Sequence, residues 1–215
     1  MYKEYIPTNY RTELRDKILK ASMKEFLRKG VKAVKMDDIA NALGISKRTL
    51  YEIYSNKEKL LLEAVRKHEE EYDRYMAEYG ADPSHSVIDI IIEFYKKSMM
   101  NVADVPQVFF AELHKYSSVI DYLNNRRNER FNNAMNFFMR GVKDGYFRSD
   151  VDYEIVLRIG TASINFAMET QMYKEYSLTK IMHNIIFLYL RGFCTPMGIK
   201  KLDDFIDGNK ENGVG

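Results

Sequence analysis

The segment Met36–Tyr54, MDDIANALGISKRTLYEIY, constrains the fold of this chain more than any other. Two short helix-forming stretches meet across Gly44-Ile45-Ser46. A tight turn between helices needs a backbone that can visit positive φ, which Gly44 supplies without a Cβ penalty. Ile45 follows as the apolar residue that pins the turn to a core, and Ala40 is small where the helices must cross closely. Ser46 is a good N-cap for a helix over Lys47–Ile53. Asp37 and Asp38 sit in the first turn of the preceding helix, where carboxylates complement the helix dipole. The pattern predicts a helix-turn-helix.

The rest of the chain reads as helix. Gly (11) and Pro (4) are scarce among 215 residues, so long helices are easy and many-stranded sheets are not. Residues 1–10, with Pro7, read as a flexible arm. From Arg11, Leu14, Ile18 and Phe26 recur at helical spacing up to Gly30, a stop signal after the basic turn Arg28-Lys29. Lys57 opens a long fourth helix to about Tyr79. Pro83 suits the first position of a fifth, over Ser84–Met100. Helices over Val108–Tyr116 and Ser118–Asp144 follow. The last two, about Tyr153–Tyr173 and Leu178–Phe193, are apolar on two sides. Such a helix needs two partners, of which one can be its own core and the other a second copy of the chain. Residues 196–215, rich in Gly and Lys, read as a frayed tail. The expected fold is all-α: a three-helix helix-turn-helix domain over 11–65, then a larger helical domain over 66–195.

Charge separates the two parts. Residues 1–65 carry 14 Lys/Arg against 9 Asp/Glu, whereas the remainder carries 19 against 22. A basic first third on a mildly acidic body points to a polyanionic partner for the first part alone. In a helix-turn-helix the second helix presents basic and hydroxylated side chains to the major groove. Lys47, Arg48, Thr49 and Tyr51 are such a set, while Leu50 and Tyr54 fall where packing inward is expected. Ser46 can set its hydroxyl and the helix N-terminus near a phosphate. The segment 35–54 is thus a reading head for double-stranded DNA.

Other chemistries find little support. The lone Cys194 excludes an internal disulfide or a multi-cysteine zinc site. No two of His68, His85, His114 and His183 are spaced i,i+4, and HExxH, GxSxG and phosphate-loop patterns are absent. No catalytic, metal or cofactor residue is assigned, and a helical enzyme is the less favoured reading. The N-terminus lacks the apolar stretch of a signal peptide, and the apolar runs 185–190 and 90–92 are too short to span a membrane. A cytoplasmic protein is expected.

The residues Phe26, Gly30, Asp37-Asp38-Ile39-Ala40, Leu43-Gly44-Ile45-Ser46-Lys47, Thr49-Leu50-Tyr51, Tyr54, Lys57-Glu58 and Leu60-Leu61 form, in order and spacing, a pattern that resembles the TetR/AcrR family of regulators. The motif covers about residues 11–65; over 66–215 the resemblance is architectural. It implies a ligand-responsive, sequence-specific DNA-binding regulator, a dimeric repressor released from its operator by a small hydrophobic or aromatic effector. It implies that Thr49 and Tyr51 touch the DNA backbone, that Lys57 binds a phosphate, and that Lys47 and Arg48 face bases or phosphates. Lys35 stands where the family usually has a Ser or Thr N-cap, and a lysine there can reach a phosphate instead. Ile53 stands where the family often has histidine. The resemblance also implies a homodimer through 153–193 and an effector pocket within the 83–175 helices. Met99, Met100, Phe109, Phe110, Phe137, Phe138, Phe166 and Met172 are the candidate linings there. The alternative is a helix-turn-helix DNA binder with no small-molecule effector.

Overall fold

A computed structural model describes residues 9–103 and 105–211, with side chains described except at 9, 101–103, 131–132 and 207–211. Among the described residues ten α-helices follow one another: α1 (Asn9–Lys29), α2 (Met36–Ala42), α3 (Lys47–Ile53), α4 (Lys57–Ala81), α5 (Val87–Ala103), α6 (Gln107–Leu113), α7 (Ser117–Lys143), α8 (Tyr153–Glu169), α9 (Leu178–Phe193) and α10 (Pro196–Glu211). One 3₁₀ turn, Met172–Lys174, lies between α8 and α9. Among the described residues there is no strand, only an isolated antiparallel bridge between Phe147 and Cys194. The arm expected over 1–10 falls, up to residue 8, outside the described residues; Tyr10 is already in α1.

The chain divides into two compact units. One runs to Asp73 and takes in Val105–Asn124, and the other holds Arg74–Asp104 and the chain from Asn125 onward. In the first, Ile18, Phe26, Ile39, Leu50, Leu60, Leu61 and Val119 are fully buried or nearly so and form one core. α6 adds Phe109 and Leu113 to it. Its Glu112 carboxylate, itself buried, accepts the Lys32 backbone N–H at 2.7 Å. Gly30 makes this approach possible: it ends α1 at φ +81°, and a Cβ there would lie 3.0 Å from Glu112 Oε2 and from Val108 Cγ1.

In the second unit the core is aromatic. Phe138 stacks on Tyr153 with ring centroids 4.8 Å apart, and Phe147 meets Phe193 edge-on at 5.1 Å. The turn 145–147 folds back on the end of α7, where Phe147 donates its N–H to the Gly141 carbonyl at 3.0 Å. A Cβ at Gly141 would overlap the Phe147 ring at 2.0 Å, so only glycine admits this ring. Cys194 is buried in the same core, and burial pushes its thiol up to about 11. A thiol kept protonated is a poor nucleophile.

Three sequence expectations change here. Residues 196–211 form α10 instead of a frayed tail: Leu202 is buried, and Lys201 Nζ reaches Ser86 Oγ at 2.8 Å and Asp89 Oδ2 at 2.6 Å. Pro83 does not open α5. Ser86 and Asp89 cap each other reciprocally, Ser86 N–H to Asp89 Oδ2 at 2.9 Å and Asp89 N–H to Ser86 Oγ at 3.3 Å, so the helix starts at Val87. The eighth helix stops at Glu169, because Gln171 adopts a left-handed conformation at φ 57°. No helix among the described residues is long and apolar enough to cross a membrane, and none of their His, Cys, Asp or Glu side chains gather in threes to hold a metal.

Gly141→Ala is therefore expected to destabilise the second unit by about 1–3 kcal/mol, the usual range for overpacking a core. Thermal unfolding should show a midpoint lowered by roughly 2–10 °C.

Candidate nucleic-acid interface

The turn between α2 and α3 is closed by backbone hydrogen bonds. Gly44 donates its N–H to the Asn41 carbonyl at 3.1 Å, and Ile45 donates to Ala40 at 3.0 Å. Gly44 holds φ +65°, the left-handed region that the sequence pattern required of it. Ala40 is completely buried, as a close crossing of two helices demands. On α3, Leu50 is fully buried and Tyr54, just past its end, nearly so, which fixes the inner face. Arg15 lies over the Tyr54 ring, its guanidinium carbon 5.7 Å from the centroid.

With the inner face fixed, Lys47, Arg48, Tyr51 and Glu52 point outward. The Arg48 side chain is 88% exposed. Lys47 forms an ion pair with Asp37 of α2, and Arg48 Nε donates to Glu52 Oε1 at 2.8 Å. Asp37 holds the Lys47 ammonium above the ordinary lysine range, so it stays charged at every working pH. Tyr51 lies beside them, about half exposed.

The hydroxyls serve the helix start. Ser46 Oγ accepts the Thr49 N–H at 3.0 Å and exchanges a second bond with Thr49 Oγ1 at 2.8 Å. At Lys35 the missing hydroxyl cap is replaced from within α2. The Lys35 side chain makes no cap bond, while Asp38 Oδ2 reaches back to the Lys35 N–H at 3.3 Å. The exposed Lys35 ammonium is left without a partner among the described residues.

Lys57 is turned inward in the free chain. Its ammonium turns onto the loop between α1 and α2, donating to the carbonyls of Val31 at 3.0 Å, Val34 at 3.1 Å and Lys32 at 3.4 Å. Carbonyls that leave a helix end need partners, and a lysine four residues beyond α3 is near enough to supply them. So Ser46, Lys47, Arg48, Thr49 and Tyr51 share one short helix and its cap, Lys35 opens the helix before it, and Lys57 supports the loop from within. The sequence reading missed Glu52, although its i,i+4 spacing from Arg48 was the signal. It also missed Glu112, which no local pattern betrays.

The candidate effector linings do not converge. Phe109 belongs to the core of the first unit, with Phe110 packed against it, whereas Phe138 and Phe137 belong to that of the second. Met100 is 70% exposed. Phe166 and Met172 line an open groove of about 580 Å³ between α8 and α9.

Comparison with known proteins gives the same reading from another direction. The sequence model described as "Bacterial regulatory proteins, tetR family" matches residues 18–64. The HTH-type transcriptional repressor KstR2 of Mycolicibacterium smegmatis is 25% identical over 163 residues, which is 67% of this chain and 72% of that protein. The KstR2 repressor of Mycobacterium tuberculosis is 24% identical over 149 residues, 67% of this chain and 74% of its own. Among solved structures, a TetR transcription regulator from Haloarcula marismortui aligns with TM-score 0.67 at 18% identity, covering 86% of this chain and 100% of that one. A transcriptional regulator from Saccharomonospora viridis, solved in complex with choline, aligns with TM-score 0.64 at 20% identity, covering 86% and 99%. At these identities the solved structures establish the fold.

Lys57→Met should cost about 1–3 kcal/mol of stability, because three carbonyls lose a charged donor. Urea unfolding measures this. A variant with unchanged stability but weakened DNA binding would return Lys57 to the phosphate role.

Proposed function

We propose that this chain, which belongs to the TetR family of bacterial regulators, is a homodimeric repressor that reads a near-palindromic operator with α3 and releases it on binding a small effector. The observation that carries this reading is the outer face of α3, where Lys47, Arg48 and Tyr51 stand exposed on a helix whose inner face is locked by Leu50. Such a helix enters the major groove while flanking groups hold phosphates. Arg48 and Lys47 take the groove. Tyr51, Thr49, Ser46 and Lys35 take the backbone, and Lys57 acts through the loop it supports. Repression is the role named for the two mycobacterial relatives.

Pairing through α8 and α9 is supported by apolar side chains left in solvent. Ile155, Ile159 and Phe166 on α8 are 54%, 51% and 62% exposed, and Leu188 on α9 is 72% exposed. Scattered apolar residues are normal on a surface, but a contiguous apolar stripe marks an interface. A second copy carrying the same stripe covers it by two-fold symmetry. The dimer then presents two copies of α3 about one DNA turn apart, roughly 34–36 Å. A small apolar or aromatic effector favours a spacing that no longer fits successive grooves, and the operator is released. The choline complex of the Saccharomonospora viridis regulator shows a small molecule bound to a protein of this fold. The work takes place in the cytoplasm, where the DNA is.

Gel-shift titration with the DNA upstream of its own gene should give salt-sensitive retardation. The double variant Arg48→Ala, Tyr51→Ala should weaken it by at least about 10-fold, as loss of base and phosphate contacts requires. Retardation that is absent, or unchanged in the double variant, defeats the DNA-reading claim. Sedimentation at micromolar concentration should give twice the chain mass of 25.3 kDa. Phe166→Glu combined with Leu188→Glu should return the monomer, whereas a monomeric wild type defeats the pairing.

A further inference from the structure

On the reading face of α3 one residue has the wrong charge for its place. Glu52 is 56% exposed among Lys47, Arg48 and Tyr51, where a carboxylate repels the phosphates that the neighbouring cations attract. It does not serve the scaffold, because its partner among the described residues is Arg48 alone. A group that costs affinity for any DNA is retained on such a face when it contributes to choosing among DNAs.

The geometry shows how. Arg48 and Glu52 lie one helical turn apart and point the same way, and the hydrogen bond runs from Nε to Oε1 at 2.8 Å. A guanidinium has five N–H donors in a fixed plane, so engaging Nε leaves both terminal amino groups available and fixes the plane that carries them. Two parallel terminal N–H donors are what guanine O6 and N7 accept in the major groove. Lys47 offers a contrast. Its ammonium, paired with Asp37, carries its remaining N–H donors on a freely rotating point charge with no fixed plane to present to a base.

We propose that Glu52 is a specificity-determining residue: it holds Arg48 by Nε so that the guanidinium meets a guanine end-on, which makes one G·C pair in each half-site a requirement for tight binding. Arg48 makes the contact and Glu52 positions it. The carboxylate also penalises sites lacking that guanine, since there it repels phosphate without compensation. This rests on the DNA-reading function proposed above.

The test is selection of duplexes from a random library by the full-length protein. Selected duplexes should carry one fixed guanine per half-site. Replacing it by 7-deazaguanine, which removes N7, or the pair by A·T, should weaken wild-type binding at least about 10-fold. Glu52→Ala should bind both duplexes within about threefold of each other while binding random duplex as tightly as wild type or more so. Glu52→Gln keeps an acceptor for Nε without the charge, and should retain more of the discrimination than the alanine variant. Arg48→Lys, which keeps the charge and loses the fork, should lose it. A Glu52→Ala protein that keeps the full preference for G·C overturns the proposal, as does a selected half-site with no fixed guanine, and in either case DNA reading stands. If no duplex is retained at all, the function proposed above falls with it.

Discussion

The head of this protein depends on the six-residue loop 30–35, held by two opposite charges. Between α1 and α2 the backbone of Gly30–Lys35 leaves one helix and enters the next. Lys57 donates to three of its carbonyls, and Glu112 accepts the Lys32 N–H. Neither side chain comes from the loop or from the helices it joins. Unsatisfied backbone groups in a part-buried loop would cost about 1–3 kcal/mol each, comparable to much of a domain's stability. The start of α2 therefore depends on partners drawn from α4 and α6. The position of α3 follows, because α3 is fastened to α2 by the Gly44 turn and to the core by Leu50.

What α3 offers the solvent is a set of side chains already paired. Lys47 with Asp37 and Arg48 with Glu52 are exposed ion pairs, which water and salt screen so heavily that they contribute little to the fold. On the proposed reading each carboxylate lowers the attraction of this face for phosphate, and the Arg48–Glu52 bond orients the guanidinium before DNA is met. Lys35 is exposed and without a partner among the described residues, and the proposed reading gives it a phosphate to meet.

How much of this the sequence discloses depends on how far apart the interacting residues lie. The Gly44 turn, the Ser46 cap and the inward Leu50 are local, and one short window contains every residue that sets them. Lys57 was visible as a position but not as a role, since its carbonyl partners lie 23 to 26 residues away. Glu112 is 80 residues from Lys32 and carries no mark in its own neighbourhood. α10 was hidden by composition. Its glycines and lysines suggested fraying, yet Ile199, Leu202 and Phe205 recur at helical spacing, and Lys201 supplies the anchor. Of the aromatic residues taken together as an effector lining, Phe109 and Phe110 pack in one core and Phe137 and Phe138 in the other, while Phe166 stays exposed, because side-chain type does not say where a residue packs.

The same distinction applies to Gly141 and Gly44, which the sequence shows as equals. Gly44 is needed for its backbone: φ +65° excludes most residues, although a Cβ there would meet nothing within 4 Å. Gly141 lies in an ordinary helix and is needed for its missing side chain, whose place the Phe147 ring occupies. One constraint can be read from a turn pattern; the other exists only once the ring of a residue six positions on has packed back. A helix-turn-helix is built of constraints of the first kind, so a short motif specifies it. The second unit is built mostly of the second kind, and many different sequences can satisfy it. The family model accordingly matches residues 18–64, while the likeness of fold to solved structures covers 86% of the chain.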